Sequence, residues 1–218
     1  MDNASQRRAT GSYATRYTPE AAKRYQRRKA GKHEAEMALV RRAFAEIPKG
    51  TVLDVPCGGG RVAMQLAQLG YTATAADLSP GMRDIAQQAF TRSGLSIKAD
   101  IEDVGQLSYP DRHFDAVISF RLFHHFGRPE TRRQAVVQLC RVARTHVAIS
   151  YFSPWSFTAF KRFLQRRFLG KITKFHTPLS EVAGYFHEAG FALVRDHAQL
   201  RGIKTLHVAV FRRREGQS

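Results

Sequence analysis

The strongest chemical signal in the sequence is a glycine turn that follows a short apolar run. Val52-Leu53-Asp54-Val55 is typical of a buried strand, and Pro56-Cys57-Gly58-Gly59-Gly60 leads from it into a helix that begins at Arg61. Glycine lets the backbone approach a ligand closely, and the N–H groups at the start of a helix attract a negative group. The turn is therefore predicted to cradle a ligand, although many nucleotide-binding folds share such a turn.

Two further acids follow the next two predicted strands. Asp77 lies 23 residues beyond Asp54, and Asp100 is followed by Ile101. In a nucleotide-binding βαβ unit, an acid at the end of the second strand can accept both ribose hydroxyls. The alternative, that Asp77 only starts the next helix, is weakened by Ser79, which is itself a capping residue. Asp100 suits the exocyclic amine of an adenine, and Ile101 suits its ring face.

A framework of alternating strands and helices must position these groups. Such alternation is typical of an α/β domain whose parallel sheet carries helices on both faces. The predicted strands are 51–55, 72–76, 95–99, 114–120, 145–151, 191–200 and 204–212, and the predicted helices are 61–69, 80–91, 129–142 and 178–189. The glycine turn and the acids then stand at the carboxyl ends of neighbouring strands.

The chain length sets the domain organisation. With 218 residues, the chain suffices for one α/β domain and not for two ordinary ones, so a single domain is predicted over 19–214. Residues 1–18 are polar and basic and are expected to be a disordered tail. Helical spacing predicts one or two N-terminal helices over 19–49, and an aromatic, basic insert over 153–175 interrupts the alternation.

The charge of the chain constrains its partners. A net charge of +17 attracts polyanions, acidic small molecules or anionic membrane surfaces, although an ordinary basic enzyme remains the alternative. No apolar run approaches the roughly 18 residues that cross a bilayer, and the amino terminus lacks the apolar core of a secretory signal. We expect a cytoplasmic protein, with peripheral contact at the inner membrane face. Cys57 and Cys140 form no disulfide framework or metal cluster, so no metal is expected.

The motifs together resemble the class I S-adenosylmethionine-dependent methyltransferase superfamily, in particular its small-molecule members. The resemblance is close over residues 50–152 and looser to residue 212, and 114–120 looks like the family's fourth strand. It implies a Rossmann-like, seven-stranded, mostly parallel sheet whose last strand is antiparallel. A dinucleotide dehydrogenase would need G-x-G-x-x-G, which the turn misses marginally, and the Asp100-Ile101 pair favours the methyltransferase.

The resemblance also implies S-adenosyl-L-methionine as the cofactor. Residues 54–60 would wrap its methionine part, Asp77 would hold the ribose, and Asp100 with Ile101 would hold the adenine. The N-terminal helix folds over the cofactor in many relatives, although a solvated basic face is the alternative here. The predicted cofactor-binding residues are Asp54, Pro56, Cys57, Gly58, Gly60, Asp77, Leu78, Asp100, Ile101, Phe120 and Arg121, with Tyr25, Arg28 and His33 from the N-terminal helix.

The segment after the fourth strand carries the candidate catalytic groups. His124 and His125 resemble a histidine pair common in small-molecule members, where such residues are either general bases or structural hydrogen-bonding groups. Arg121 follows a buried strand directly, and a charge there is costly unless it meets an anionic partner. It is predicted to hold the cofactor's carboxylate or an acidic substrate.

The insert is predicted to contain an amphipathic basic helix. Its apolar face is either core beneath a lid, or part of a substrate cap or interfacial anchor. Many members of the superfamily carry substrate-recognition insertions at this position. The residues implied for the pocket or its rim are Tyr151, Phe152, Trp155, Lys161 and His176, together with Arg121.

These features predict methyl transfer by in-line displacement, which mainly requires alignment of the acceptor. The expected acceptor is an acidic small molecule or an anionic lipid or glycolipid, methylated on oxygen or nitrogen. RNA is the alternative acceptor, since 35 Lys and Arg residues also suit a phosphate backbone. A non-catalytic cofactor-binding module is a third hypothesis, motivated by Pro56 at a position where relatives usually carry glycine.

Overall fold

A sheet of seven strands lies at the centre of the part of the chain that the structure describes. The structure is a computed structural model and describes residues 30–156, 175–199 and 205–216. The strands are β1 (Thr51–Asp54), β2 (Thr72–Asp77), β3 (Lys98–Ile101), β4 (Phe114–Ser119), β5 (Ala143–Phe152), β6 (Phe191–Ala198) and β7 (Leu206–Arg213). Their order is β3-β2-β1-β4-β5-β7-β6, and β7 alone among them runs against the other six. The predicted Rossmann-like fold is confirmed.

Helices cover both faces of this sheet. They are α1 (Ala30–Phe44), α2 (Arg61–Gln68), α3 (Pro80–Arg92), α4 (Pro129–Val142) and α5 (Leu179–Glu188), with a short 3₁₀ helix at Phe123–His125. One buried apolar cluster lies between the sheet and α1 to α3, and a second lies between the sheet and α4 and α5. Because successive side chains of a strand point to opposite faces, Val208 and Val210 join the first cluster, whereas Ala209 and Phe211 join the second.

The strand order positions the candidate site. β1 is central, and the chain moves outward from it to β2 and β3 on one side and to β4 and β5 on the other. In open α/β sheets, ligands bind outside the carboxyl ends of the strands at the point where the order reverses. Here that point lies between β1 and β4, next to Asp54 and Ser119.

The predicted third strand is misplaced. It was expected over 95–99, whereas β3 begins only at Lys98. The amide of Leu95 donates to Phe90 O, and that of Ile97 donates to Leu95 O, so this apolar stretch forms the turn that closes α3. Its apolar residues pack on the core from that turn. The other predicted strands and helices from residue 51 onward occur within two residues of their expected ends.

The N-terminal boundaries are only partly covered by the described residues. α1 lies inside the predicted helical region 19–49, whereas the tail 1–18 and residues 157–174 of the insert fall outside the described part of the chain. Ser79 caps α3 as expected, because its hydroxyl accepts from Met82 N and Pro80 occupies the first turn. None of the described helices combines the length and apolar character needed to cross a membrane.

Candidate active site

Asp54 ends β1 beneath the glycine turn (residues 55–60). Its side chain is fully buried, and Oδ2 accepts a hydrogen bond of 3.0 Å from Ala63 N at the start of α2. Its other oxygen, Oδ1, has no hydrogen-bond partner among the described residues. Burial raises the pKa of this carboxyl to about 8, although the Ala63 bond acts in the opposite direction. Asp54 therefore presents a protonated, incompletely bonded carboxyl near neutral pH.

Asp77 ends the neighbouring strand β2 and holds the glycine turn in place. Its Oδ2 accepts from Gly58 N at 2.9 Å and its Oδ1 accepts from Ser79 N at 2.9 Å. Burial raises the pKa of Asp77, and the two N–H bonds lower it. Cys57, which is buried, adds a third tie because its amide donates to Ala76 O at 2.7 Å. The predicted ribose-binding acid thus also joins the glycine turn to the start of α3.

The backbone of the glycine turn requires glycine at two positions. Gly58 and Gly60 have φ of 53° and 79°, in the left-handed region that other residues avoid. A Cβ on Gly60 would lie 2.4 Å from Cε1 of Phe90, a core residue of α3. Close packing of the glycine turn against α3 therefore depends on this glycine. Pro56, where a glycine is usual, lies half-buried in the same turn.

The predicted adenine-binding pair lies at the end of β3, on the edge of the sheet. Asp100 accepts from the Tyr109 hydroxyl at 2.8 Å and pairs with Lys98 Nζ at 2.8 Å. Burial and the contact with Asp100 raise the pKa of Tyr109, so this phenol stays protonated and acts as a donor. Ile101 is 50% exposed, which leaves an apolar side chain uncovered beside the carboxylate. Tyr109 was not predicted as a site residue.

The arginine turn (residues 120–126) leaves β4 next to the glycine turn. Arg121 has φ of 63°, a left-handed conformation that is unusual for any residue other than glycine, and its amide donates to Ser150 Oγ on β5. Its guanidinium donates to Glu36 Oε1 at 2.8 Å, and Arg61 at the start of α2 pairs with Glu36 Oε2 at 2.5 Å. Glu36 is 1% exposed. This trio, Glu36 with Arg61 and Arg121, is the charged centre of the site.

Sequence reasoning missed Glu36 and Arg61 as site residues. A signal for Glu36 exists, because it occupies the apolar stripe of α1, among buried residues that include Met37, Val40 and Phe44. A carboxylate in such a stripe is costly unless a buried cation meets it. The identity of that cation cannot be read from local spacing, since Arg121 lies 85 residues further along the chain.

Aromatic rings surround the arginine turn at the ends of β4 and β5. The Arg121 guanidinium lies 5.8 Å from the Phe152 ring centroid, and His124 stacks on Phe152 at 4.2 Å and 13°. His125 lies 4.2 Å from the His124 ring, and His176 lies 6.0 Å from Phe152. The structure thus brings together the predicted residues Arg121, His124, His125, Phe152 and His176.

The segment at 175–177 closes over this group of rings. Phe175 N donates to His124 O at 2.8 Å, and Thr177 N donates to Phe152 O at 2.9 Å. The ring of Phe175 covers Gly127, where a Cβ would meet it at 2.7 Å. The chain that follows the insert is therefore fastened to the arginine turn and to β5.

Other predicted residues lie elsewhere. Tyr151 faces the opposite side of the sheet from Phe152, and its hydroxyl is 3.4 Å from His207 Nδ1. Trp155 is 82% exposed. Leu78 is half-buried, and Phe120 is buried beneath Arg61. His33 is exposed, and its ring nitrogen lies 3.4 Å from Arg61 Nη1. Tyr25, Arg28 and Lys161 fall outside the described residues.

A metal centre is not apparent in the described part of the chain, since no three His, Cys, Asp or Glu side chains there are grouped as ligands. The arrangement offers instead buried carboxyls, backbone N–H groups, guanidinium groups and rings at one edge of a sheet. These are the groups that bind and orient an organic ligand with charged ends.

Comparison with known proteins finds a matching family over part of the chain. Residues 52–146 match the family described as a methyltransferase domain. A ubiquinone biosynthesis O-methyltransferase from Xanthomonas axonopodis pv. citri is 32% identical over 90 residues, 41% of this chain and 36% of that protein. Another from Methylocella silvestris is 36% identical over 74 residues, 34% of this chain and 29% of that protein. The chain spans about a third of the length of these curated relatives.

A solved structure extends the likeness to the whole fold. Magnesium protoporphyrin IX methyltransferase from Synechocystis PCC 6803, crystallised with S-adenosylhomocysteine, superposes with a TM-score of 0.72 at 19% identity, over 84% of each chain. At that identity the likeness concerns the fold. The match to a methyltransferase domain over residues 52–146 and the likeness in fold agree with the resemblance inferred from the motifs.

Proposed function

We propose that this protein transfers the methyl group of S-adenosyl-L-methionine to a small-molecule acceptor. The observation that carries the proposal is the order of groups along one sheet edge: Asp54 with the glycine turn, then Asp77, then Asp100 with Ile101. These groups lie within the residues that match the methyltransferase domain. The named activities of the relatives, and the cofactor product bound to the Synechocystis enzyme, support the same function.

The chain's residues fit such a cofactor. Asp54 Oδ1 is buried and has no described partner, and the ammonium of the methionine part would favour the ionised carboxylate there, against the protonated form that burial alone favours. Each oxygen of Asp77 takes one N–H and, with its second lone pair, accepts a ribose hydroxyl. Ile101 offers an apolar cover for the adenine, and Asp100 an acceptor for its amine. When bound, the cofactor would supply a methyl group carried on a positively charged sulfur, and the sulfur would become a neutral thioether once the methyl group is transferred.

The chain's part in the reaction is to align the acceptor and exclude water. The rings of His124 and Phe152, closed over by residues 175–177, form an apolar wall beside Arg121. For a hydroxyl acceptor, His124 or His125 takes the proton as the oxygen attacks. For an amine or an acidic oxygen, alignment beside the cofactor is sufficient.

The proposed acceptor is acidic or linked to an anionic lipid or glycolipid, and is methylated on oxygen or nitrogen. The net charge of +17 and the arginine pair at the site favour a negatively charged acceptor. The O-methyltransferase names of the curated relatives favour a hydroxyl. Trp155, 82% exposed at the start of the basic insert, supports peripheral contact with an anionic membrane from the cytoplasmic side.

Calorimetry with S-adenosylmethionine and S-adenosylhomocysteine tests the cofactor site. The wild type and Asp84→Ala, which removes an exposed acid on α3, should bind both compounds, and Asp77→Ala should bind neither measurably. Absence of binding by the folded wild type would refute the proposed function.

Labelled methyl transfer tests the acceptor. We expect incorporation into hydroxylated aromatic acids or into extracts of anionic lipids, and none into RNA. Incorporation into RNA alone would establish the alternative acceptor, and cofactor binding without transfer to any acceptor would establish a non-catalytic module.

Vesicle flotation tests the membrane contact. Trp155→Ala should reduce binding to phosphatidylglycerol vesicles, whereas Val137→Ala, which trims a 47% exposed side chain on α4, should not. Equal binding by both variants and the wild type would show that Trp155 does not contribute to membrane binding.

A further inference from the structure

We propose that Glu36 is a positioning residue, which holds Arg61 and Arg121 in the orientation that recognises an anionic group on a bound ligand. The inference rests on the proposed function, and it deepens that function by assigning a role to a residue of α1. The anionic group is either the carboxylate of the cofactor or an acidic group of the acceptor.

The first step is the geometry of the carboxylate. Each oxygen of Glu36 takes one guanidinium, with Arg121 on Oε1 at 2.8 Å and Arg61 on Oε2 at 2.5 Å. Arg61 is the first residue of α2, after the glycine turn, and Arg121 follows β4 in the arginine turn. One side chain of α1 therefore joins the two turns that flank the candidate cofactor position.

The second step is the burial of the trio. The side chains of Glu36, Arg61 and Arg121 are 1%, 14% and 10% exposed. Removing charges from water is expensive, and a buried ion pair often adds no more stability than apolar residues of the same volume. Stability alone is therefore a weak reason for three charges here. A site that must present oriented charge to a ligand is a stronger one.

The third step is how firmly Arg121 is held. Its φ of 63° is a strained conformation for a residue with a Cβ, and its amide is tied to Ser150 Oγ on β5. Such backbone conformations persist where the surroundings over-determine them, and they cluster at ligand sites. The Phe152 ring lies 5.8 Å from its guanidinium, and Phe120 lies at the same distance from that of Arg61. Backbone, ring and carboxylate together define the direction of the arginine side chain.

The fourth step is the chemistry of the pair. A guanidinium has five N–H donors in a rigid fork, so a bond to Glu36 fixes the plane of the whole group. The fork matches a carboxylate or a phosphate in two-point contact. Two such forks, one at the start of α2 and one directly after β4, form a recognition site for an anion beside the cofactor position.

Paired ligands that differ by one carboxylate test the proposal. The first pair is S-adenosylhomocysteine and its decarboxylated analogue S-adenosyl-3-thiopropylamine, which keeps the ammonium group and lacks only the carboxylate. The second pair is 3,4-dihydroxybenzoate and catechol, titrated in the presence of S-adenosylhomocysteine. Calorimetry is done on the wild type, on Glu36→Gln and on Glu34→Gln, the last removing an exposed acid of α1 that pairs with Arg41.

The wild type and Glu34→Gln should prefer the carboxylate-bearing member of at least one pair. Glu36→Gln should weaken the affinity for the carboxylate-bearing ligand about tenfold, and should change the affinity for the other ligand of the pair less than about twofold. The loss is selective because the variant loses the orientation of the guanidinium groups and keeps its fold. The pair that responds identifies the source of the anion. Arg121→Lys keeps the charge without the fork, and should show the same selective loss if Glu36→Gln does not fold.

Three outcomes would overturn the role of Glu36. They are a wild type with no preference in either pair, a Glu36→Gln variant that keeps the preference, and a variant that weakens both members of a pair equally. Failure of the proposed function looks different, since the wild type would then bind neither adenosine compound.

Discussion

The glycine turn and the arginine turn occupy equivalent places in the fold and are built differently. Each follows a parallel strand, β1 or β4, and each reaches the same edge of the sheet. Both contain left-handed backbone, but the first uses Gly58 and Gly60, and the second uses Arg121. In the proposed site, the backbone of the first turn would face the ligand, whereas in the second turn a side chain would.

This difference shows two ways of encoding a site. The glycine turn is held by groups close in sequence, since Asp77 lies 19 residues from Gly58 and Asp54 lies nine from Ala63. The arginine turn is held by Glu36, 85 residues before it, and by Ser150, 29 residues after it. A local motif therefore specifies the first turn, and only the packed fold specifies the second.

Ionising Asp54 should disturb the glycine turn most. Its pKa is raised from 3.8 to about 8, so between these values the unfolded chain has lost a proton that the folded chain retains. Stability is therefore present at low pH and falls as pH rises, by up to about 1.4 kcal/mol per pH unit, relative to an Asp54→Asn variant that cannot titrate. Urea unfolding of both proteins from pH 5 to pH 8 measures the difference. Parallel curves would contradict a raised pKa.

Adding a methyl group to Gly60 should break the packing of the same turn. The Cβ would meet the Phe90 ring at 2.4 Å at a φ of 79°, and overpacking with backbone strain should cost about 3 kcal/mol. Gly70→Ala is the matched control, because its φ is 88° but no atom lies within 4 Å of the added Cβ, so strain alone should cost about 1 kcal/mol. Equal losses in urea unfolding would show that Phe90 yields.

Replacing Asp77 by Asn should reduce stability less than the two changes above, but it should also weaken ligand binding. Both oxygens accept backbone N–H groups, so an amide must turn its NH₂ toward either Gly58 N or Ser79 N. One buried donor is then unsatisfied, at about 2 kcal/mol, and the affinity for S-adenosylhomocysteine should fall as well. Asp84→Asn on exposed α3 is the control. Unchanged stability and affinity would show that Asp77 neither holds the glycine turn in place nor contributes to ligand binding.

The smallest predicted effect concerns the left-handed backbone of the arginine turn. Because φ at Arg121 is 63°, Arg121→Gly should be more stable than Arg121→Ala by about 1 kcal/mol, although both lose the guanidinium. Chemical denaturation of the two variants measures the gap. If alanine is equally stable, the contacts of the arginine side chain alone impose the conformation.

Sequence reasoning failed where a feature depends on the packed fold and not on a local motif. The third strand was placed too early because its apolar residues Leu95 and Ile97 reach the core from a turn, which periodicity cannot distinguish from a strand. Glu36 was missed although it lies in an apolar stripe, because its partners are distant in sequence.

The sequence by itself determined the order of strands and helices, the glycine turn and the acids at the strand ends. These features depend on local properties, namely the period of apolar residues and the conformational freedom of glycine. Tertiary structure alone decided which residues meet Arg121 and how far burial raises the pKa of Asp54. Charge pairing and burial depend on which surfaces pack together, and the contact from α1 to the arginine turn exists only after the sheet has brought β1 and β4 side by side.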